Sequence, residues 1–83
     1  MAHTQACGVF RVTATEDIGS IKQVRRIVIE PSGSAVVILQ DEDDTGNQVY
    51  EYTGTARVAE SVEIQASQGL RVEVTNAVVY LYT

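Results

Sequence analysis

Chemistry in this chain would have to come from very few side chains. His3 is the only histidine and Cys7 the only cysteine among 83 residues. Both are metal-ligand types, but a structural zinc site takes four ligands, so no metal centre is expected there. Asp41, Asp43 and Thr45, followed by Gly46, imitate the opening of a calcium loop, which sets oxygen ligands at alternate positions before a glycine. The match fails at its twelfth position, where a bidentate Glu is required and Tyr52 stands. The expected reading is a solvated acidic loop, with a weak oxygen-only cation site as the alternative. A hydrolase or transferase needs a base beside a nucleophile, and His3 sits near the terminus. Glu63 and Glu73 fall on the polar faces of alternating segments and read as solvated. The expectation is a protein that is not an enzyme and carries no cofactor.

The tyrosines come in two pairs, Tyr50/Tyr52 and Tyr80/Tyr82. Exposed rings of this kind can stack on sugars, but the chain has no Trp, the usual companion in such platforms. The preferred reading is that the rings cap a sheet edge or line a subunit contact, which suits an apolar body with a polar tip. Arg25 and Arg26 read as surface or interface salt-bridge donors.

The elements that must position these groups are strands. Gly8–Ala14 forms a first strand with Phe10, Val12 and Ala14 on one face. Glu16–Ser20 is turn-rich. Val24–Ile29 is the next strand; a helix over Ser20–Val28, from the spacing of Ile21, Val24 and Val28, competes with it, and the β-branched run favours strand. That puts Ile27 and Ile29 on one face, Arg26 and Val28 on the other. Pro31-Ser32-Gly33 reads as a reversal, with proline pre-setting φ and glycine supplying a left-handed position. Ala35–Gln40 follows, apolar on both faces. Gln48–Thr53 places Tyr50 and Tyr52 together. Ser61–Gln65 and Leu70–Thr75 alternate strictly, as half-buried strands do. If these two form a hairpin, Val62, Ile64, Leu70, Val72 and Val74 all sit at even numbers, so paired residues must share parity. Asn76 makes a last corner.

Ala77–Tyr82 does not alternate between polar and apolar. Ala77, Val79 and Leu81 form one apolar set and Val78, Tyr80 and Tyr82 the other. A sheet face packed on a core needs only one set, so the second calls for another layer or another subunit. The residues expected at an oligomer interface are Val78, Tyr80, Tyr82, Val37 and Leu39. The whole reads as about seven short strands with turns between them, an all-β antiparallel sandwich of jelly-roll or Ig-like type. Residues 8–83 make the single domain and residues 1–7 a flexible N-terminal arm. Within that arm Met1, His3 and Gln5 are candidates to lie along a partner.

Composition narrows the partners. The formal charge of −5 repels phosphate backbones and anionic lipid, so neither nucleic acid nor membrane is expected. The first residues lack the basic-then-apolar order of a secretion signal, and the protein is expected to be made in the cytoplasm. Small domains bury a smaller share of their surface, and a lone Cys7 allows no internal disulfide, which leaves oligomerisation as the available support.

The order of Arg26-Ile27-Val28-Ile29, the Pro31-Ser32-Gly33 reversal, Ala35–Gln40 and an acidic Gly46-Asn47 loop forms one part of a pattern. Val62-Glu63-Ile64, Gly69–Val72 and Ala77–Tyr82 complete it. Together they resemble the small all-β virion proteins of tailed bacteriophages, in particular capsid decoration (cement) proteins. The resemblance covers roughly residues 20–83 and lies in strand order rather than in a ligand motif. It implies a structural protein of the virion that binds between capsomers, partnered by the major capsid protein or another virion protein. It also implies a homo-oligomer, a trimer or dimer at a symmetry axis. A neck, tail or fibre component and a non-viral β-sandwich adaptor are the alternatives.

Overall fold

The computed structural model describes residues 3–6, 8–41, 48–66 and 69–83. Their strands are β1 (His3–Ala6), β2 (Val9–Val12), β3 (Glu16–Ile18), β4 (Gln23–Asp41), β5 (Gln48–Gly54), β6 (Val58–Gln65) and β7 (Leu70–Tyr82). The fold is all-β, and the described strand pairs are antiparallel. The strands join into one sheet with the path β1-β2-β7-β4-β5, with β3 added to β7 and β6 added to β4.

Two of the strands are long, β4 with 19 residues and β7 with 13. They form the spine, and the others line its edges in two groups. In the first leaf, Arg26–Pro31 of β4 pair with Ala77–Tyr82 of β7, flanked by β6 on one side and β2 then β1 on the other. In the second leaf, Val36–Asp41 pair with Leu70–Thr75, flanked by β5 and β3. Between the leaves the register slips. Pro31 faces Ala77, the next pair is Val36 with Thr75, and only Asn76 spans on β7 what Ser32–Ala35 span on β4. The spine turns a corner there, the way strands pass between crossed layers.

Asn76 makes that corner on β7. Its φ is 55°, a left-handed value that Asn tolerates better than most side chains. Thr75 and Asn76 both point to solvent, so the buried set changes from Leu70, Val72, Val74 to Ala77, Val79, Leu81. On β4 the buried residues keep the same parity on both sides of the corner, Ile27 and Ile29 before it and Ala35, Val37 and Leu39 after it, with Pro31 half-buried and Ser32–Ser34 exposed between them. Without the extra residue on β7 the inner faces of the two strands would lose step. Asn76 Nδ2 donates to the Ser34 carbonyl at 3.1 Å and ties the two sides of the corner together.

Several local expectations change. Pro31–Ser34 is a bend inside β4, because each flanking half finds its partner in β7 rather than in the other half. Gly33 does not adopt a left-handed φ. Glu16–Ile18, read as a turn, pairs with Val72–Leu70 as β3. The first strand stops at Val12, and Ala14 is exposed. His3–Ala6, read as part of a flexible arm, pair with Val12–Val9 as β1. β6 and β7 form no hairpin; both lie against β4, on opposite edges, so the parity condition does not arise.

The inner surfaces of both leaves meet in a single core. Val12, Ile27, Ile29, Val37, Leu39, Leu70, Val72, Val79 and Leu81 are fully buried within one cluster. Cross-strand neighbours are matched in type: Phe10 beside Leu81, Val12 beside Val79, Ile27 beside Leu81, and Leu39 beside Val72. Such apolar pairs are the unit by which a sheet gains stability.

Candidate functional site: the outer face of the first leaf

Outward-pointing residues of the first leaf form rows set by the register. One row runs Val9, Tyr82, Arg26, Ser61; the next runs Arg11, Tyr80, Val28, Ala59; the third begins Val78, Glu30. A stripe of Val9, Val28, Val78, Tyr80 and Tyr82 therefore lies on the side facing away from the core. Val28 is 5% exposed yet belongs to no part of the core cluster, since it faces out between Tyr80 and Ala59. Tyr82, at 36%, is the exposed large hydrophobic among the described residues.

Charge on this face is placed with the rings. Arg11 Nε donates to the Tyr80 hydroxyl at 3.3 Å. The Arg26 guanidinium lies 5.7 Å from the centroid of Tyr82, within cation–π range. Glu30 meets Arg57 at 3.5 Å, both side chains well exposed, a pair of little energetic weight. Because Arg26 occupies a face of the Tyr82 ring, that ring offers less stacking surface to a sugar.

The outer face of the second leaf differs. Its apolar residues, Val36 and Ile38, are half-buried and separated by polar neighbours. Ile38 sits between Glu51 and Glu73, and Val36 between Thr53 and Thr75. Arg71 Nη1 donates to Asp17 Oδ1 at 2.9 Å near the β3 edge. This is the pattern of a solvated face.

Of the residues expected at an interface, Val78, Tyr80 and Tyr82 share the outer face of the first leaf. Val37 and Leu39 do not join them. Both are fully buried in the core, across from Val74 and Val72, and so are not available to a partner. With Ala35–Leu39 apolar at every position, composition could not say which alternate set faces inward. His3 and Gln5 lie in β1, opposite Val12 and Phe10; Met1 and Cys7 lie outside the described residues. So do positions 42–47 of the acidic loop. Among the described residues no group of three His, Cys, Asp or Glu is placed to hold a metal ion.

The tyrosine pairs are separated. Tyr50 and Tyr52 lie on the inner side of β5, at the seam between the leaves, beside Leu39 and Val37. The Tyr50 hydroxyl donates to Glu60 Oε1 at 2.8 Å, linking β5 to β6 across the seam. Burial, and then the hydrogen bond to Glu60 and its charge, push the Tyr50 pKa from 10.0 up to about 12. The Tyr52 hydroxyl donates to the Ala56 carbonyl. It lies 3.0 Å from where a Cβ on Gly54 would stand, so that ring position depends on glycine. The two pairs thus do different work and form no common platform. A groove of about 500 Å³ opens where β4 and β6 slip register, lined by Arg25, Val62, Glu63 and Ile64 among others.

Sequence reasoning missed Arg11 and Glu30 as members of the outer face. The signal was present: Glu30 continues the Arg26–Val28 alternation, and Arg11 lies between Phe10 and Val12.

No family model matches the chain, and no curated protein or solved structure matches it.

Proposed function

We propose that this chain is a structural protein of the capsid decoration type, which stabilises an assembled bacteriophage shell by binding between its capsomers. The observation that supports this reading is a second apolar set on the outer face, with Val9, Val78 and Tyr80 half-buried and Tyr82 exposed around the covered Val28, outside the core cluster. A small β-domain gains stability by burying such a face against another subunit. In this reading the face joins copies of the chain, and the β1–β2 edge, with His3 and Gln5, is the side offered to the major capsid protein. Binding of many copies to one shell stabilises it by mass action, without chemistry.

The test is made on purified particles of the phage that encodes the chain. Stripped shells titrated with the purified protein are expected to bind it saturably, at a fixed copy number per capsomer, and to resist heating better once saturated. Absence of the protein from particles, together with no binding to shells, overturns the proposal.

A further inference from the structure

Charge on the outer face of the first leaf is ordered along β4. Along β4 the outward residues read Arg26, Val28, Glu30, positive, apolar, negative. Along β7 they read Tyr82, Tyr80, Val78, at the same heights. This order is complementary to itself when reversed.

We propose that two copies of this chain pack through this face as an antiparallel pair about a two-fold axis. The axis lies in the plane of the face and runs along the Val28–Tyr80 row. This rests on the decoration reading for its purpose, but it is argued from the face alone. In such a pair each β4 crosses the partner's β4 in the opposite direction. Residues one step above the axis meet residues one step below it. Arg26 comes to the partner's Glu30, and Tyr82 to the partner's Val78. Tyr80, half-buried, meets its own counterpart at the centre, while Val28, already covered within the chain, lies beneath the contact.

The alternative two-fold axis, parallel to the strands, keeps every residue at its own height. Arg26 would then stand level with the partner's Arg26, and Glu30 with the partner's Glu30, leaving like charges together and no opposite ones paired. Three-fold assembly is heterologous and makes no use of the self-complementary order. Arg11 lies on the axial row between Tyr80 and Thr4 of β1, exposed and already donating to the Tyr80 hydroxyl, and solvent screens it from its counterpart. Glu30's existing contact, at 3.5 Å to Arg57 with both side chains exposed, is too weak to hold it back. The Arg26 guanidinium, already drawn over Tyr82, is held on the face where the partner's carboxylate arrives.

The experiment is a charge swap read by light scattering and sedimentation equilibrium on the full chain. The unaltered protein is expected to populate a species of twice the 9.0 kDa chain mass. Arg26→Glu and Glu30→Arg should each weaken the dimer by about tenfold or more. The double variant should return to within about threefold of the original dissociation constant, because Glu at 26 again meets Arg at 30 of the other copy. A purely intramolecular role for Glu30, through Arg57, predicts no such restoration. Circular dichroism melts of all three variants separate loss of the dimer from loss of fold, and Val78→Glu provides a second break of the same face. A monomer at millimolar concentration, a trimer, or a double variant no better than the singles overturns the proposal. A monomer that still saturates shells leaves the decoration function standing. A dimer with the charge-swap pattern that binds no shell leaves the pairing standing and removes that function.

Discussion

Tyr50 shows how one side chain in this fold can be read by pH. Its ring closes the seam between the leaves, and its hydroxyl donates to Glu60 on the facing strand. Burial disfavours the phenolate, and a carboxylate acceptor disfavours it further. The folded-state value of about 12 stands above the ordinary 10.0, so folding favours the protonated ring. The stability this contributes is complete below about pH 10 and is lost as pH rises through about 12. Subtracting the tyrosinate absorbance of Tyr50→Phe from that of the unaltered protein isolates this ring, and its midpoint should fall near 12. Glu60→Gln keeps an acceptor but removes the charge. The midpoint should then move only part of the way back, because burial is the larger cause. A full return to 10.0 would mean that Glu60, not burial, holds the ring protonated. Neither Tyr50 nor Glu60 could be matched from sequence, because nothing local says that β5 and β6 come together across a seam. The packing of the Tyr50 and Tyr52 rings against the core, with each hydroxyl on a polar partner, suits a residue with an apolar body and a polar tip.

At the level of elements, most strands were legible and their partners were not; β1, read as part of an arm, and β3, read as a turn, were missed. Apolar runs at Val24–Ile29, Ala35–Gln40 and Ala77–Tyr82 announce strands, and both apolar sets of Ala77–Tyr82 were visible. The Pro31–Ser34 chemistry suits a hairpin turn, yet the chain bends through it, since β7 offers a partner to both halves of β4. Local turn propensity lost to long-range pairing. The parity of β7 depends on Asn76, whose left-handed φ inserts the one extra residue that keeps the inner face inward. Asn76→Ala should cost about 1 kcal/mol, the usual strain of a left-handed non-glycine residue, with the exposed hydrogen bond to Ser34 adding little. Asn76→Gly should cost less, because glycine accepts that φ. Urea midpoints of the two variants at unchanged slope check the order. If both lose the same amount, the Ser34 hydrogen bond rather than backbone strain is what the corner depends on.

The whole molecule hangs on β7. Its C-terminal half holds β2 on one edge and β4 on the other, and its N-terminal half does the same for β3 and β4. Segments at the start of the chain thus find their partners only when residues 70–82 are in place. A fold dominated by such distant pairings closes late and as a unit, because the loop-closure entropy must be met before the contacts form. Two truncations separate this from a modular alternative. A chain beginning at Gly8 loses only β1, an edge strand paired on one side with β2, and should keep its fold. A chain stopped after Ala77 keeps all of β1–β6 but loses the partner of β2 and the inner residues Val79 and Leu81. Phe10, Val12, Ile27 and Ile29 would then face water. Losing a single fully buried Leu commonly costs about 2–5 kcal/mol, against a total of about 5–15 kcal/mol for a small domain. The chain beginning at Gly8 is expected to give protected amides throughout β4 and β7 in hydrogen exchange, and the chain stopped after Ala77 to exchange without protection everywhere. Residual protection confined to β4, β5 and β3 in the second chain would show instead that the leaf beyond Asn76 folds alone, and that the corner joins two units rather than bending one.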